Sequence, residues 1–203
     1  MSKSPKLIGI CGPIGSGKDT IAGTLMGIGW VRYSMANPLK DMTAKLFDWP
    51  RDMVEGSTDA SRKWREQPDA WWSERLGREI TPRWALQYLG TEVMRQNFHN
   101  EIWVACMERF VIQNNFDVVI SDVRFPNEIE AVRRLGGEIW QVHRNPLPYW
   151  WDEAKAKGEV DGVHASETAW IPYEPDRVFS NTGSLQDLRL AVLRAVQSNP
   201  HLI

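Results

Sequence analysis

No long apolar run, no spaced cysteine set and no surplus of one charge occurs in this 203-residue chain, and each absence narrows what it can be. The first apolar stretch, near Leu7 to Cys11, breaks at Gly12 after about six residues, too few for a signal peptide or a membrane span. A soluble, cytoplasmic protein is expected. The two cysteines, Cys11 and Cys106, have neither metal-ligand spacing nor the density of a secreted scaffold, which leaves reduced thiols. With 24 basic and 26 acidic residues the formal net charge is −2, so nothing marks a nucleic-acid coat or an acidic tail. Low-complexity tracts are missing too. What remains is an ordinary globular composition, 42% hydrophobic and 25% charged, long enough for one folded unit that buries roughly 70% of its unfolded surface. Eleven tryptophans are the excess. They are not interleaved with a basic stripe, so most are expected as packing, with one or two available to stack on a planar ligand.

Along the chain, short apolar runs alternate with segments of helical period. "KLIGIC" reads as a strand, "DTIAGTLMGIG" as a helix with Ile21, Leu25 and Ile28 on one face, and "WVRYSM" as a second strand. "NPLKDMTAKLFDW" reads as a helix entered through Asn37 with Pro38 at its first position. Residues 50–67 are polar and turn-rich, giving a loop or short helices. "TPRWALQYLGTEVMRQNF" has Thr81 as N-cap and Pro82 first in the helix, with Gly90 placed to bend or end it. "EIWVACMERFVIQNN" is a further helix. "FDVVISD" is a strand closed by Asp122, then a loop and a helix ending at paired glycines. "EIWQVHR" and "DRVFSN" read as strands. The last helix, "SLQDLRLAVLRAVQ", opens on a capping box of Ser184 and Asp187. This alternation predicts an α/β fold with a mainly parallel sheet.

The chemistry is concentrated in "GPIGSGKDT". Gly12, Gly15, Ser16, Gly17 and Lys18 follow a strand and open directly into a helix, the context a phosphate-cradling loop demands. Glycines there let backbone N–H groups face a phosphate, the helix N-terminus adds positive potential, and the lysine ammonium reaches the β and γ oxygens. Asp19 stands where such loops place a hydroxyl for magnesium. Two readings stay open: it touches the metal through water, or it caps the helix while Thr20 stays near the phosphates. A carboxylate beside phosphates is repelled unless Mg2+ lies between them. Farther on, Asp122 ends a strand, where α/β sheets present functional side chains. It is placed to bind Mg2+ through water or to orient an arginine, with Arg124 two residues on. The guanidinium forks of Arg83 and Arg95 suit a phosphate, and Gln87, one turn from Arg83, has an amide for a base edge.

Taken in order, "GPIGSGKDTIA", "ANPLK", "TPRWALQYLGTEVMR" with "IWV", "VVISDVRFPNEIEAV", "HASE" and "SNTGSLQDL" resemble the bacteriophage deoxynucleoside monophosphate kinases, relatives of the adenylate-kinase-like P-loop kinases, over nearly the whole chain. In that family Asp commonly follows the loop lysine. The resemblance implies a three-layer P-loop NTPase fold with a core of residues 1–34, 116–144 and 168–203, a helical acceptor-binding insertion near 35–115 and a small lid near 145–167. It implies ATP as phosphoryl donor with Mg2+, a deoxynucleoside monophosphate as acceptor, and a role in supplying nucleotides for DNA replication. Lys18, Asp122, Arg124 and Arg144 would be the catalytic set. Gly12, Gly15, Ser16, Gly17, Lys18, Asp19, Thr20 and Asn181 would hold ATP, with Asn181, Thr182 and Gly183 bordering its adenine. Lys40, Arg83, Gln87, Gly90, Thr91, Arg95, Trp103, Asp122, Arg124 and Glu128 would receive the monophosphate. Metal contact falls to Asp19 and Asp122, through water. Lys155, Lys157 and His164 are the ionisable groups of the lid, with His164 read as a structural hydrogen-bonder. No nucleic acid or membrane is expected as partner, a homodimer is compatible with the family, and a viral origin would place the protein in the host cytoplasm. Dephospho-coenzyme A kinase and phosphomevalonate kinase share the architecture and remain alternatives, as does a regulatory or assembly ATPase. A small GTPase is disfavoured because no Asn-Lys-x-Asp stretch is present.

Overall fold

The computed structural model describes residues 6–163, 165–199 and 202, so His164 lies outside the described residues. The strands are β1 (Leu7–Cys11), β2 (Val31–Tyr33), β3 (Val118–Ile120), β4 (Glu138–His143) and β5 (Arg177–Ser180). They pair in parallel throughout, in the order β2-β3-β1-β4-β5. The helices are α1 (Lys18–Met26), α2 (Asn37–Phe47), α3 (Arg51–Glu55), α4 (Asp59–Arg65), α5 (Ala70–Leu76), α6 (Pro82–Tyr88), α7 (Ile102–Gln113), α8 (Pro126–Arg134), α9 (Trp151–Lys157), α10 (Ala165–Thr168) and α11 (Leu185–Gln197), with a π-helical segment (Leu89–Phe98) continuing α6. This is the layered α/β fold with a parallel sheet that the alternation of patterns predicts. The chain divides into two compact units, residues 1–35 with 107–203, and residues 36–106.

In the first unit the sheet is covered on both faces, which is why its strands read as continuous apolar runs rather than alternating ones. All five residues of β1 are buried. Ile8 and Ile10 join Ile21 and Leu25 of α1, Trp140 and Val142 of β4, and Leu188 and Val192 of α11 in one cluster. Gly9 points the other way, where a side chain would run into Ile139, Val123 and Val132 of α8 at 3.0–3.2 Å. β1 therefore has a helical layer on each side, and the loop that follows it leaves the sheet from its middle strand. α11 begins with the expected reciprocal cap between Ser184 and Asp187.

The second unit has a small aromatic core. Ala44, Trp49, Val54, Ile80 and Ala85 are buried, with Phe47, Trp64, Trp72, Trp84 and Leu86 packed against them. Phe47 stacks on Trp49 with ring centroids 4.3 Å apart. The indole N–H groups have acceptors: Trp49 donates to Asp69 at 2.7 Å and Trp72 to the Phe47 carbonyl at 3.0 Å. Burial with a satisfied polar edge is the expected role of most tryptophans here, while Trp71 is 61% exposed.

The polar stretch from residue 50 contains the short helices α3 and α4, one of the two readings open for it. Two local details differ from the sequence expectation. α2 starts at Asn37 itself, with Ala36 as N-cap and no side-chain cap. α6 ends at Tyr88, beside Gly90, but the chain continues in π-helical bonding from Leu89 to Phe98 rather than leaving the helix, and Gly90 is buried against Leu39, where a Cβ would come within 2.7 Å of the leucine methyl.

Candidate active site

The loop between β1 and α1 follows from its glycines. Gly12, Gly15 and Gly17 have φ of 150°, 74° and 118°, values side chains rarely adopt. Two of them also lack room for a side chain. A Cβ on Gly12 would lie 2.1 Å from the Val142 carbonyl oxygen and 2.8 Å from Ser16 Oγ, and one on Gly17 would lie 2.8 Å from Asn181 Nδ2. Gly17 is the N-cap of α1, with no side-chain cap, so Asp19 does not cap this helix. The Lys18 ammonium folds over the loop and donates to the carbonyls of Gly12 (2.6 Å) and Pro13 (2.7 Å). Ser16 is 2% exposed and its Oγ has no hydrogen-bond partner among the described residues, an unmet donor of the kind a buried site resolves by binding something. Asn181, just after β5, donates through Nδ2 to the Ser16 carbonyl at 2.8 Å. It braces the loop from the end of the edge strand β5.

Three further groups lie in the same unit as the loop. Asp19, with an 82% exposed side chain, pairs with Arg32, and Arg32 Nε donates to Ser121 Oγ at 2.8 Å. The guanidinium thus ties the first turn of α1 to the end of β3. Asp122, two residues beyond β3, accepts from Ser34 Oγ at 2.7 Å and from the Met35 N–H at 2.9 Å. Arg124 is held at both ends. Its N–H donates to Glu128 Oε2 at 2.8 Å, while its guanidinium donates to Ser166 Oγ at 3.2 Å and to Glu167 Oε1 at 3.0 Å. Glu128 is 1% exposed, and the same carboxylate oxygen also accepts from the Phe125 N–H, so it shapes the turn into α8 from inside. Arg144 is exposed directly after β4.

The electrostatics agree with this arrangement. Burial lowers the Lys18 pKa most, Arg124 lowers it further, and Glu167 and Asp19 oppose both. Two cations and two carboxylates therefore share one electrostatic neighbourhood. At the foot of the loop, burial pushes the Cys11 thiol up to about 12 against the opposing pull of Lys18. Cys11 stays neutral at physiological pH and is a packing residue rather than a nucleophile.

The other predicted residues lie in the unit of residues 36–106. Lys40 Nζ donates to Glu55 at 2.6 Å, and Arg51 binds the second oxygen of the same carboxylate at 2.6 Å. Burial pushes the Glu55 carboxyl up, yet these two hydrogen bonds hold it below its ordinary value. Arg83 pairs with Glu66. Gln87, one turn further along α6, and Thr91 are exposed, and Arg95 is half-buried. Trp103 is buried and donates to the Gly90 carbonyl at 3.1 Å, so these two hold the π-helical segment against α7. In the segment read as a lid, Lys157 pairs with Glu153 one turn away, Ala154 is fully buried, and Trp151 meets Trp170 edge-on at 5.6 Å.

Arg32, Ser34, Glu167 and Asn181 as a brace were not read from the sequence. A signal existed for one of them: a carboxylate at position 19 beside a phosphate loop calls for a nearby cation.

A family model for deoxynucleotide monophosphate kinases matches residues 71–192. A protein of Acanthamoeba polyphaga mimivirus named as a deoxynucleotide monophosphate kinase is 33% identical over 153 residues, covering 68% of this chain and 74% of the relative. The deoxynucleoside-5'-monophosphate kinase of Escherichia phage T5 is 34% identical over 117 residues, covering 56% of this chain and 44% of its own length. The chain thus spans less than half of the phage relative. Among solved structures, TT1252 from Thermus thermophilus covers 97% of this chain and 98% of its own, with a TM-score of 0.50 and 21% identity, a likeness of fold.

Proposed function

Because the chain belongs to the deoxynucleotide monophosphate kinase family, we propose that it transfers the γ-phosphoryl group of ATP to a deoxynucleoside monophosphate. An oxygen of the acceptor phosphate forms the new P–O bond as the bond to the β,γ-bridging oxygen breaks, leaving ADP and a deoxynucleoside diphosphate. The observation that carries this reading is the loop after β1, with three positive-φ glycines, a helix start and Lys18 folded over two loop carbonyls. Phosphoryl transfer needs positioning and charge compensation more than covalent help, and that is what these residues offer. Lys18 exchanges its loop carbonyls for β and γ oxygens. Arg124, held by Glu128 at its backbone and by Ser166 and Glu167 at its tip, is fixed to meet the transferring or accepting phosphate.

In the same reading Gly12, Gly15, Ser16, Gly17, Thr20 and Asn181 form the ATP side. Lys40, Arg83, Gln87, Thr91 and Arg95 form the acceptor side, where Gly90 and Trp103 support the helix that carries Arg95. The insertion is the unit of residues 36–106, and residues 145–167 with Arg144 at their entrance act as a lid that excludes water. Magnesium fits this set. Mg2+ keeps most of its waters and needs only one or two carboxylates besides substrate phosphates; Asp19 and Asp122 would hold it through water, with the buried Ser16 hydroxyl, which has no hydrogen-bond partner among the described residues, as a further oxygen, and the ion would supply charge neutralisation. No helix among the described residues is long and apolar enough to cross a membrane, and a cytoplasmic enzyme acting on free nucleotides follows from the substrates proposed.

The test is coupled ADP release from purified protein with ATP and magnesium, comparing dGMP, dTMP, dCMP, dAMP and their ribose forms with no acceptor. Turnover that depends on at least one deoxynucleoside monophosphate is expected. Turnover of the same rate with every monophosphate and with none would leave an ATPase and remove the acceptor-side roles.

A further inference from the structure

The unit of residues 36–106 contains a cation that the roles above do not use. Lys40, Arg51, Arg62 and Arg83 are each paired with a carboxylate of the same unit, respectively Glu55, Asp41 with Glu55, Asp59 and Glu66. Arg65 is different. It ends α4 half-buried, and its Nε is buried with no hydrogen-bond partner among the described residues. A guanidinium donor without an acceptor costs on the order of 1–3 kcal/mol when buried, so its seat calls for an explanation.

That seat is constructed. The guanidinium lies against Gly56, so close that a Cβ there would be 2.1 Å from Cζ, 2.2 Å from Nη2 and 2.6 Å from Nε. Gly56 caps α3 with φ 71°, so both conformation and space exclude a side chain. The turn is pinned beside it: Arg62 donates to the Ser57 carbonyl at 3.0 Å, and Thr58 and Ser61 cap α4 reciprocally. Arg83 approaches from α6. Burial lowers the Arg65 pKa first and the Arg83 cation lowers it next, with Glu66 and Glu55 opposing. Arg83 binds the carboxylate of Glu66, the residue that follows Arg65 in the chain, so both arginines are anchored at the C-terminal end of α4.

We propose that Arg65 and Arg83 together form the seat for the dianionic phosphate of the acceptor monophosphate. Two planar forks match the three terminal oxygens of a phosphate monoester, and the ligand supplies the acceptor that Arg65 Nε has no protein partner for. Glu66 holds the Arg83 side chain by an ion pair. This rests on the kinase reading above and adds to it the residue that fixes where the acceptor phosphate sits.

Steady-state kinetics with ATP and each deoxynucleoside monophosphate test it in wild type, Arg65→Ala and Arg65→Lys. Loss of a charged hydrogen-bond partner predicts a rise of about 10- to 100-fold in the acceptor KM, with the ATP KM changed less than about two-fold. Lysine restores the charge but not the fork, so Arg65→Lys should fall between wild type and alanine. Combining Arg65→Ala with Arg83→Ala should cost less than the product of the two, because both act on one ligand. An acceptor KM unchanged in both Arg65 variants overturns the seat, as does one that rises in step with the ATP KM. If wild type turns over no monophosphate, the kinase reading fails while the seat is still decided by thermal-shift titration with inorganic phosphate in the Lys18→Ala background. Stabilisation by phosphate that disappears on adding Arg65→Ala supports an anion site. Stabilisation that persists, or none in that background, rejects it.

Discussion

Lys18→Ala is expected to lower acceptor-dependent turnover by roughly 10²–10³-fold, the usual cost of removing one preorganised charge from a developing transition state, while the protein still folds. The two halves of this expectation have separate causes. In the free protein the ammonium binds the Gly12 and Pro13 carbonyls, and burial already works against its charge. Removing it therefore withdraws two hydrogen bonds and a poorly solvated cation together, effects of opposite sign on stability. In the reacting complex nothing else in the loop carries a formal positive charge. Steady-state kinetics with thermal melting distinguish the outcomes: near-normal kcat would defeat the assignment of the loop to the donor phosphates, and a large fall in melting temperature would make Lys18 a folding residue.

Gly12→Ala should be comparably severe for a different reason, and Gly15→Ala serves as its internal control. Both glycines have positive φ, so alanine at either site carries backbone strain of roughly 1–2 kcal/mol. They differ in their neighbours. At Gly15 nothing lies within 4 Å of an added Cβ, whereas at Gly12 it meets the Val142 carbonyl at 2.1 Å. That oxygen belongs to β4, whose position is fixed by pairing with β1 and β5, so the loop must move instead. A loss of about 2–5 kcal/mol in stability is expected at Gly12 from strain plus overpacking, with nucleotide binding reduced at least 100-fold. Gly15→Ala should keep most of both. Urea denaturation and ATP titration of the two variants give the comparison, and equal behaviour would show that conformation alone, and not the close approach to β4, demands glycine in this loop.

How far the sequence discloses this arrangement depends on the range of the interaction. β1, the loop and α1 are legible because their signals are local: an apolar run, glycines at fixed offsets and a helical period, all within twenty residues. The same holds for the capping box at Ser184 and for β3 ending near Asp122. The partners of the charged groups are not legible in this way. Arg32 reaches Asp19 across a strand connection, Glu167 reaches Arg124 from 43 residues away, and Arg65 becomes conspicuous only once Gly56 is seen beneath it. Asp19 shows the limit well. Its departure from the usual hydroxyl is plain in the sequence, but of the two readings left open only helix capping could be judged from local structure, and Gly17 holds that position. The short helices α3, α4 and α5 were beyond periodicity for a simpler reason, since one or two turns contain too few residues to display a face. The widening at Leu89 has no sequence signature either; what fixes Gly90 is the leucine it packs on and the indole that binds its carbonyl.

The place of β1 in the sheet has a consequence for fluctuations. It pairs with β3 on one side and β4 on the other, while β2 and β5 each have one neighbour. Backbone amides of an interior strand exchange with solvent only through the largest openings of a domain, whereas edge strands and peripheral helices open at lower free energy. The loop is therefore rooted in the part of the chain slowest to exchange its protons for deuterons. Thermal breathing at the sheet margins reaches it last, and the register of its amides persists through motions that loosen the periphery.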